Sequence, residues 1–205
     1  MKKLLVIITI AVFTVSSSFA QGEVRFGAKA GLNLASIGGD SYHGLGGFDS
    51  RTSFHIGALV EVPFTDKISV QPEVMYSSQG SKGDFGFTST GDIKLDYLTL
   101  PIMGKYHIIE GLSGELGPVF SFLVKAEAED GETVIDPLPK SETIDLKDQY
   151  KGFDVAIGIG ATYRLPFGLF GSLRYNKGIL DINDVAGYTG KNQNNVFQVS
   201  AGYTF

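Results

Sequence analysis

The strongest constraint on this chain is a period of two that returns along its whole length. In residues 24–35, Val24, Phe26, Ala28, Ala30, Leu32 and Leu34 alternate with Arg25, Gly27, Lys29, Gly31 and Asn33. Side chains at that period leave an extended strand on opposite faces, so one face is apolar and the other polar. The pattern recurs in residues 52–62, 68–78, 112–124, 152–165, 168–178 and 194–205. In the last of these Phe197, Val199, Ala201, Tyr203 and Phe205 oppose Gln198, Ser200, Gly202 and Thr204. Residues 93–108 are long enough for another strand, but Ile93, Leu95 and Tyr97 fall on one parity and Leu98, Leu100 and Ile102 on the other. A bulge near Tyr97 or Leu98 is expected to reconcile the halves.

Eight strands result, and their connections alternate. Gly-rich or acidic stretches at 36–51, 79–92, 126–150 and 179–193 are long, whereas 63–67, 109–111 and 166–167 are minimal turns. Membrane barrels separate short turns from long loops in this way. The expected fold is therefore an all-β, eight-stranded, antiparallel, up-and-down transmembrane barrel. The even strand number puts both termini on the short-turn, periplasmic side.

The polar face decides between a membrane barrel and a soluble calyx, which turns its charges outward. It carries Arg25, Lys29, Glu61, Glu73, Glu115, Asp154, Arg164 and Arg174, four of each sign, with His55 and the glycines Gly27, Gly31, Gly57, Gly158, Gly160 and Gly202. Glycine on a solvated strand face weakens the strand for no gain, but in a narrow lumen it leaves room for long charged neighbours. These charges are expected to compensate one another as a structural network, because an unpaired buried charge costs several kcal/mol. Side chains fill so small a barrel, so an open pore is not expected. Phe54, Tyr76, Phe122 and Tyr175 at one set of strand ends, and Tyr163, Phe167, Tyr203 and Phe205 at the other, read as interface girdles.

Hydrophobic residues make up 43% of the chain and mean hydropathy is only +0.10, which excludes a bundle of membrane helices. There is no cysteine, so neither a disulfide scaffold nor a thiolate metal site is available. Lys2 and Lys3, an apolar run through 4–15 and small residues ending in Ser18-Phe19-Ala20 have the layout of a secretory signal peptide over 1–20. The barrel domain is then expected to span 21–205.

Several stretches together resemble the PorT-like outer-membrane β-barrel family common in Bacteroidetes-type bacteria: FGAKAGLNLAS from Phe26, SVQPEVMYSSQG from Ser69, DYLTLPIMGKY from Asp96, GPVFSFLV from Gly117 and RYNKGILDI from Arg174. The resemblance implies an outer-membrane location and a terminal strand, closed by Tyr203 and Phe205, that resembles the signal read by the barrel-insertion machinery. A link to protein secretion attaches to the family's name-giving member, and fold alone does not transfer it.

The chemistry is sparse. His55 shares its parity with Glu61 and with nearby serines, so a lipid-modifying Ser/His/carboxylate site can be drawn, but a hydrogen-bonded plug is the better reading. His43 and His107 have no metal-ligand neighbours at useful spacing. Residues 126–150 hold eight acids against Lys140 and Lys147, without the spacing of a calcium loop. Gly158-Ile-Gly160 leads into no helix and is no dinucleotide fingerprint. No basic patch points to nucleic acid. The expectation is a structural or surface-interaction barrel with no cofactor. Its partners are outer-membrane lipid, the insertion machinery and an envelope protein met through the loops. A small barrel enzyme or lipid-binding protein, and an accessory of secretion, are the alternatives.

Overall fold

The computed structural model describes residues 23–39, 49–84, 90–129, 143–185, 187 and 190–205. The expected leader, His43 and most of the acidic connection lie outside them. The strands are β1 (Arg25–Gly39), β2 (Asp49–Pro63), β3 (Ile68–Asp84), β4 (Thr90–Ile109), β5 (Leu112–Glu129), the short β6 (Thr143–Asp145), β7 (Phe153–Arg164), β8 (Leu169–Gly178) and β9 (Asn192–Thr204). Eight of them form a closed antiparallel barrel in the order β1, β2, β3, β4, β5, β7, β8, β9, with β9 returning to β1. The closing seam runs from Gly27↔Thr204 to Gly39↔Asn192, and the Phe205 N–H donates to the Phe26 carbonyl at 2.8 Å. β6 is an addition that pairs with Glu127–Glu129 of β5.

Strands on the long-loop side run further than the alternation shows. β3 and β4 stay paired through Lys82↔Asp92 and Asp84↔Thr90, inside a stretch expected to be loop. There the sequence is Gly- and Ser-rich on both parities, so hydrophobic period fades while the backbone ladder continues.

The expected bulge is not on β4. Ile93, Leu95, Tyr97, Thr99, Met103 and Lys105 are all buried on one parity, while Leu98, Ile102 and Tyr106 are exposed on the other. The register slips on β5: Asp96 pairs with Lys125 but Tyr97 with Leu123, passing over Val124. The mixed pattern of β4 has a different cause. Its inward face mixes Lys105 and Thr99 with Met103 low in the barrel and turns wholly apolar at Ile93, Leu95 and Tyr97 near the long-loop end.

The barrel is inside out relative to a soluble protein. Phe26, Leu32, Phe54, Ile56, Val74, Leu116, Ile159, Leu173 and Val199 are exposed, whereas Lys29, Glu61, Glu73, Lys105, Glu115, Asp154 and Arg174 are buried. The apolar belt ends on the long-loop side in rings that neighbour one another across strands. Phe54 and Tyr76 lie 5.9 Å apart by ring centroid, and Phe122 and Phe153 5.3 Å. At the other rim Tyr203 and Phe205 meet edge to face at 5.3 Å.

Two glycines show what the lumen requires. A Cβ on Gly31 would fall on the Val199 carbonyl and 2.8 Å from His55 Cε1, and one on Gly160 would stand 3.0 Å from Glu115 Oε1. Gly160 pairs with Glu115 on one side and Arg174 on the other, so its missing side chain lets those two groups meet across it.

Candidate functional site

The lumen is built in three tiers, set by which residue types occupy the inward parity at each height. Nearest the short turns, Glu61 accepts from Lys105 Nζ at 3.2 Å, Arg164 Nη1 at 3.0 Å and Ser69 Oγ at 3.1 Å. His107 Nε2 lies 3.3 Å from the same carboxylate. Arg25, although in register with Glu61, enters none of these contacts.

The middle tier is a four-charge cluster. Glu73 takes Lys29 Nζ at 2.8 Å, both terminal nitrogens of Arg174 at 2.9 and 2.7 Å, and the Gln71 amide at 2.7 Å. Arg174 Nε reaches Glu115 Oε1 at 2.6 Å, and Thr162 donates to Glu115 at 3.3 Å. Two cations face two anions, and the bidentate fork fixes the arginine plane between β3, β5 and β8.

Beside it, His55 is 1% exposed. Its Nδ1 lies 2.8 Å from Asn33 Oδ1 and its Nε2 2.8 Å from Ser200 Oγ. Asn33 spends its amide hydrogens on Phe54 O, Ser77 Oγ and Ser78 O, so its Oδ1 accepts. That fixes the proton on Nδ1 and leaves Nε2 to accept the Ser200 hydroxyl. The partners of His55 are therefore Asn33 and Ser200; Glu61, expected beside it, belongs to the tier below.

The outer tier is apolar. Ile37, Ile93, Leu95, Tyr97, Leu123, Ala126 and Ile182 are buried together, with Leu146 and Tyr150 packed on them. Ile182 comes from the β8–β9 connection and is held in the mouth by backbone bonds: its N–H donates to Asn192 O at 2.9 Å, and its carbonyl accepts from Lys151 N at 2.8 Å. Asp181 pins the same segment, accepting from Asn192 N at 3.0 Å, Asn183 N at 3.2 Å and Lys151 Nζ at 3.0 Å. Partial burial opposes its ionisation, but these donors prevail and hold its carboxyl below the usual aspartate value. The lumen is thus corked on its outer side and cross-braced by charge in its middle.

The eight charges read from the sequence do not make one set. Lys29, Glu73, Glu115 and Arg174 come together, Glu61 and Arg164 form a second group, and Arg25 and Asp154 join neither. Lys105, missing from the sequence reading, is central to the second group. It was hidden by the unsettled parity of its strand. Asn33, Tyr97 and Ile182 carry no signal of their own; only the lumen-facing parity of the first two points to them. Among the described residues no cluster of histidine or carboxylate side chains could hold a metal ion.

Comparison with known proteins agrees with this architecture. The family model "outer membrane protein beta-barrel domain" matches residues 19–184. No curated protein sequence matches the chain. Among solved structures, Ail, the attachment invasion locus protein of Yersinia pestis, superposes with a TM-score of 0.53 at 16% identity, covering 90% of this chain and all of Ail. Ail in complex with the heparin analogue sucrose octasulfate gives 0.52 at 17% identity, with the same coverage. At such identity the likeness is one of fold.

Proposed function

Because the chain belongs to the outer membrane protein β-barrel domain family, we propose that it is a surface-interaction barrel whose working part is the crown of strands and loops beyond the aromatic girdle. The observation that carries this is the corked lumen. Ile182, Leu146 and Tyr150 stop one end of a charge-braced interior, so among the described residues side chains fill the lumen. What is left to meet a partner is the outer rim, where β3, β4 and β5 continue past Tyr76, Leu98 and Phe122.

The charge of that rim selects the partner class. Residues 126–150 carry six more acids than lysines, so their field repels a polyanion such as the heparin analogue bound to Ail and attracts a basic or cation-bearing surface. The reading includes both termini in the periplasm, a leader removed after Ala20, and a place nearest the PorT-like barrels, the last resting on the five quoted segments.

Cells lacking the protein, complemented with either the intact barrel or one whose residues 130–142 are replaced by a Gly/Ser linker, test it. Adhesion to a cationic surface is expected to return only with the intact barrel, while detergent resistance returns with both. Full rescue of adhesion by the linker variant would refute the surface role.

One observation supports a second reading. Ser200, His55 and Asn33 stand in the order of a nucleophile, base and orienter. All three are buried, so a substrate carbonyl would need the lumen to open. Covalent labelling of Ser200 by a fluorophosphonate in detergent, lost in His55→Ala, would favour a hydrolase; absence of labelling removes it.

A further inference from the structure

Between the four-charge cluster and the apolar cork lies a cavity of about 20 Å³, lined among others by Asp154, Asn176, Asn194, Ser121 and Arg174. That is room for one water-sized species. Two of its lining residues, Asn176 and Asn194, each have an Oδ1 that is buried and accepts no hydrogen bond.

Their orientation is forced by a chain of amides. Asn33 Oδ1 must accept, so Gln198 Nε2 donates to it at 2.9 Å, and Gln198 Oε1 then accepts from Asn176 Nδ2 at 3.0 Å. Asn176 Oδ1 is left over. Asn194 spends its amide nitrogen on Tyr97 Oη at 3.1 Å and Asp154 Oδ2 at 3.3 Å, which leaves its Oδ1 over as well.

Asp154 completes the group. It is 3% exposed and meets only the Asn194 amide and its neighbour Val155 N–H, at 2.7 Å. No cationic side chain among the described residues pairs with it. Arg174 also lines the cavity, but its guanidinium is committed to Glu73 and Glu115, and with Lys29 that cluster sums to zero. Asp154 is thus a buried carboxylate that no neighbouring cation contacts among the described residues.

We propose that this cavity binds one alkali-metal cation of about sodium's size, held by the Asp154 carboxylate and the Oδ1 atoms of Asn176 and Asn194. A water could donate to both amide oxygens, yet it would leave the carboxylate charge unanswered in a site where that is expensive. A divalent ion would overshoot and bury a surplus positive charge. A monovalent cation satisfies oxygen-only ligands and cancels the carboxylate charge within the site itself.

The test is unfolding of the detergent-solubilised barrel at pH 8 in mixtures of sodium and choline chloride at fixed ionic strength. Each tenfold rise in sodium above half-saturation should lower the unfolding constant about tenfold. Asp154→Asn, which keeps the size and a hydrogen bond to Asn194, should abolish that dependence. Equal stability in sodium and choline, with a pH-dependent difference between wild type and Asp154→Asn, would put a proton on the carboxyl and overturn the proposal. Sodium dependence that survives in Asp154→Asn would place the ion elsewhere and overturn it too.

Discussion

Neutralising Glu73 perturbs the most heavily connected side chain in the lumen. Glu73→Gln leaves Lys29 and Arg174, both buried, facing Glu115 alone. The middle tier then carries a net positive charge that water cannot reach. Breaking a buried pair by removing one partner costs about 3–5 kcal/mol, and no solvent discount applies because both side chains in the Lys29–Glu73 pair are 3% exposed or less. With a urea slope of about 1–3 kcal/mol per molar, that loss moves the unfolding midpoint down by roughly 1 M or more. Lys29→Met alone should also destabilise, since it leaves two carboxylates on one guanidinium. The double variant restores neutrality through Arg174 and Glu115, so it should cost at least about 1.5 kcal/mol less than the sum of the singles. Urea titrations in one detergent, followed by tryptophan-free far-UV dichroism, measure all three. Additive effects of the two substitutions would refute the claim that the tier is stabilised as a balanced set.

Other expectations follow from the same geometry. Leu173→Arg, half-exposed on the apolar belt, should lower stability in lipid by about 2–4 kcal/mol; an unchanged urea midpoint in vesicles would move the membrane boundary. Gly31→Ala drives a Cβ into β9, whereas at Gly171 the nearest atom to a new Cβ is 3.9 Å away. Gly31→Ala should therefore cost about 1–3 kcal/mol and Gly171→Ala almost nothing, and equal midpoints would contradict the tight seam. Because its donors hold the folded Asp181 carboxyl below the ordinary aspartate value, its bonds to the 183–192 segment hold fully above about pH 4 and fail as pH falls through the lower folded value. Asp181→Asn at pH 7 should mimic that loss and speed trypsin cleavage after Lys151 or Lys191; unchanged cleavage would show that Ile182 alone seats the segment.

The strands were legible because lipid and lumen each impose one residue class on one parity. Phe197 to Phe205 could be read without any structure, as could the inward placement of Glu73 and Arg174. Two kinds of information were not. Where β3, β4 and β5 leave the apolar belt, no hydrophobic period marks the ladder, so Lys82↔Asp92 and its neighbours read as loop. And where the lumen itself turns apolar, around Leu95 and Tyr97, the inward parity copies the outward one and counterfeits a bulge. Lys105 was lost with that register.

Pairing within the lumen was less legible still, because parity fixes a face and not a height. His55 and Glu61 share a face, yet they are six residues apart along a strand that rises about 3.4 Å per residue. That puts roughly 20 Å between their Cα atoms, beyond any side-chain contact. Their partners come instead from strands far off in sequence: Ser200 for the histidine, Lys105 and Arg164 for the glutamate. Height in a closed barrel is set by the stagger of every ladder around it, so a change of register anywhere alters which charges meet. The Val124 slip on β5 lies above Ser121 and Glu115, and so leaves the four-charge tier in register while shifting only the apolar cork. The other two shifts, between Ser50 and His55 on β2 and between His107 and Ile109 on β4, also fall outside the paired stretches Leu59↔Glu73, Lys105↔Glu115 and Gly160↔Arg174 that carry the middle tier, so its buried charges stay matched.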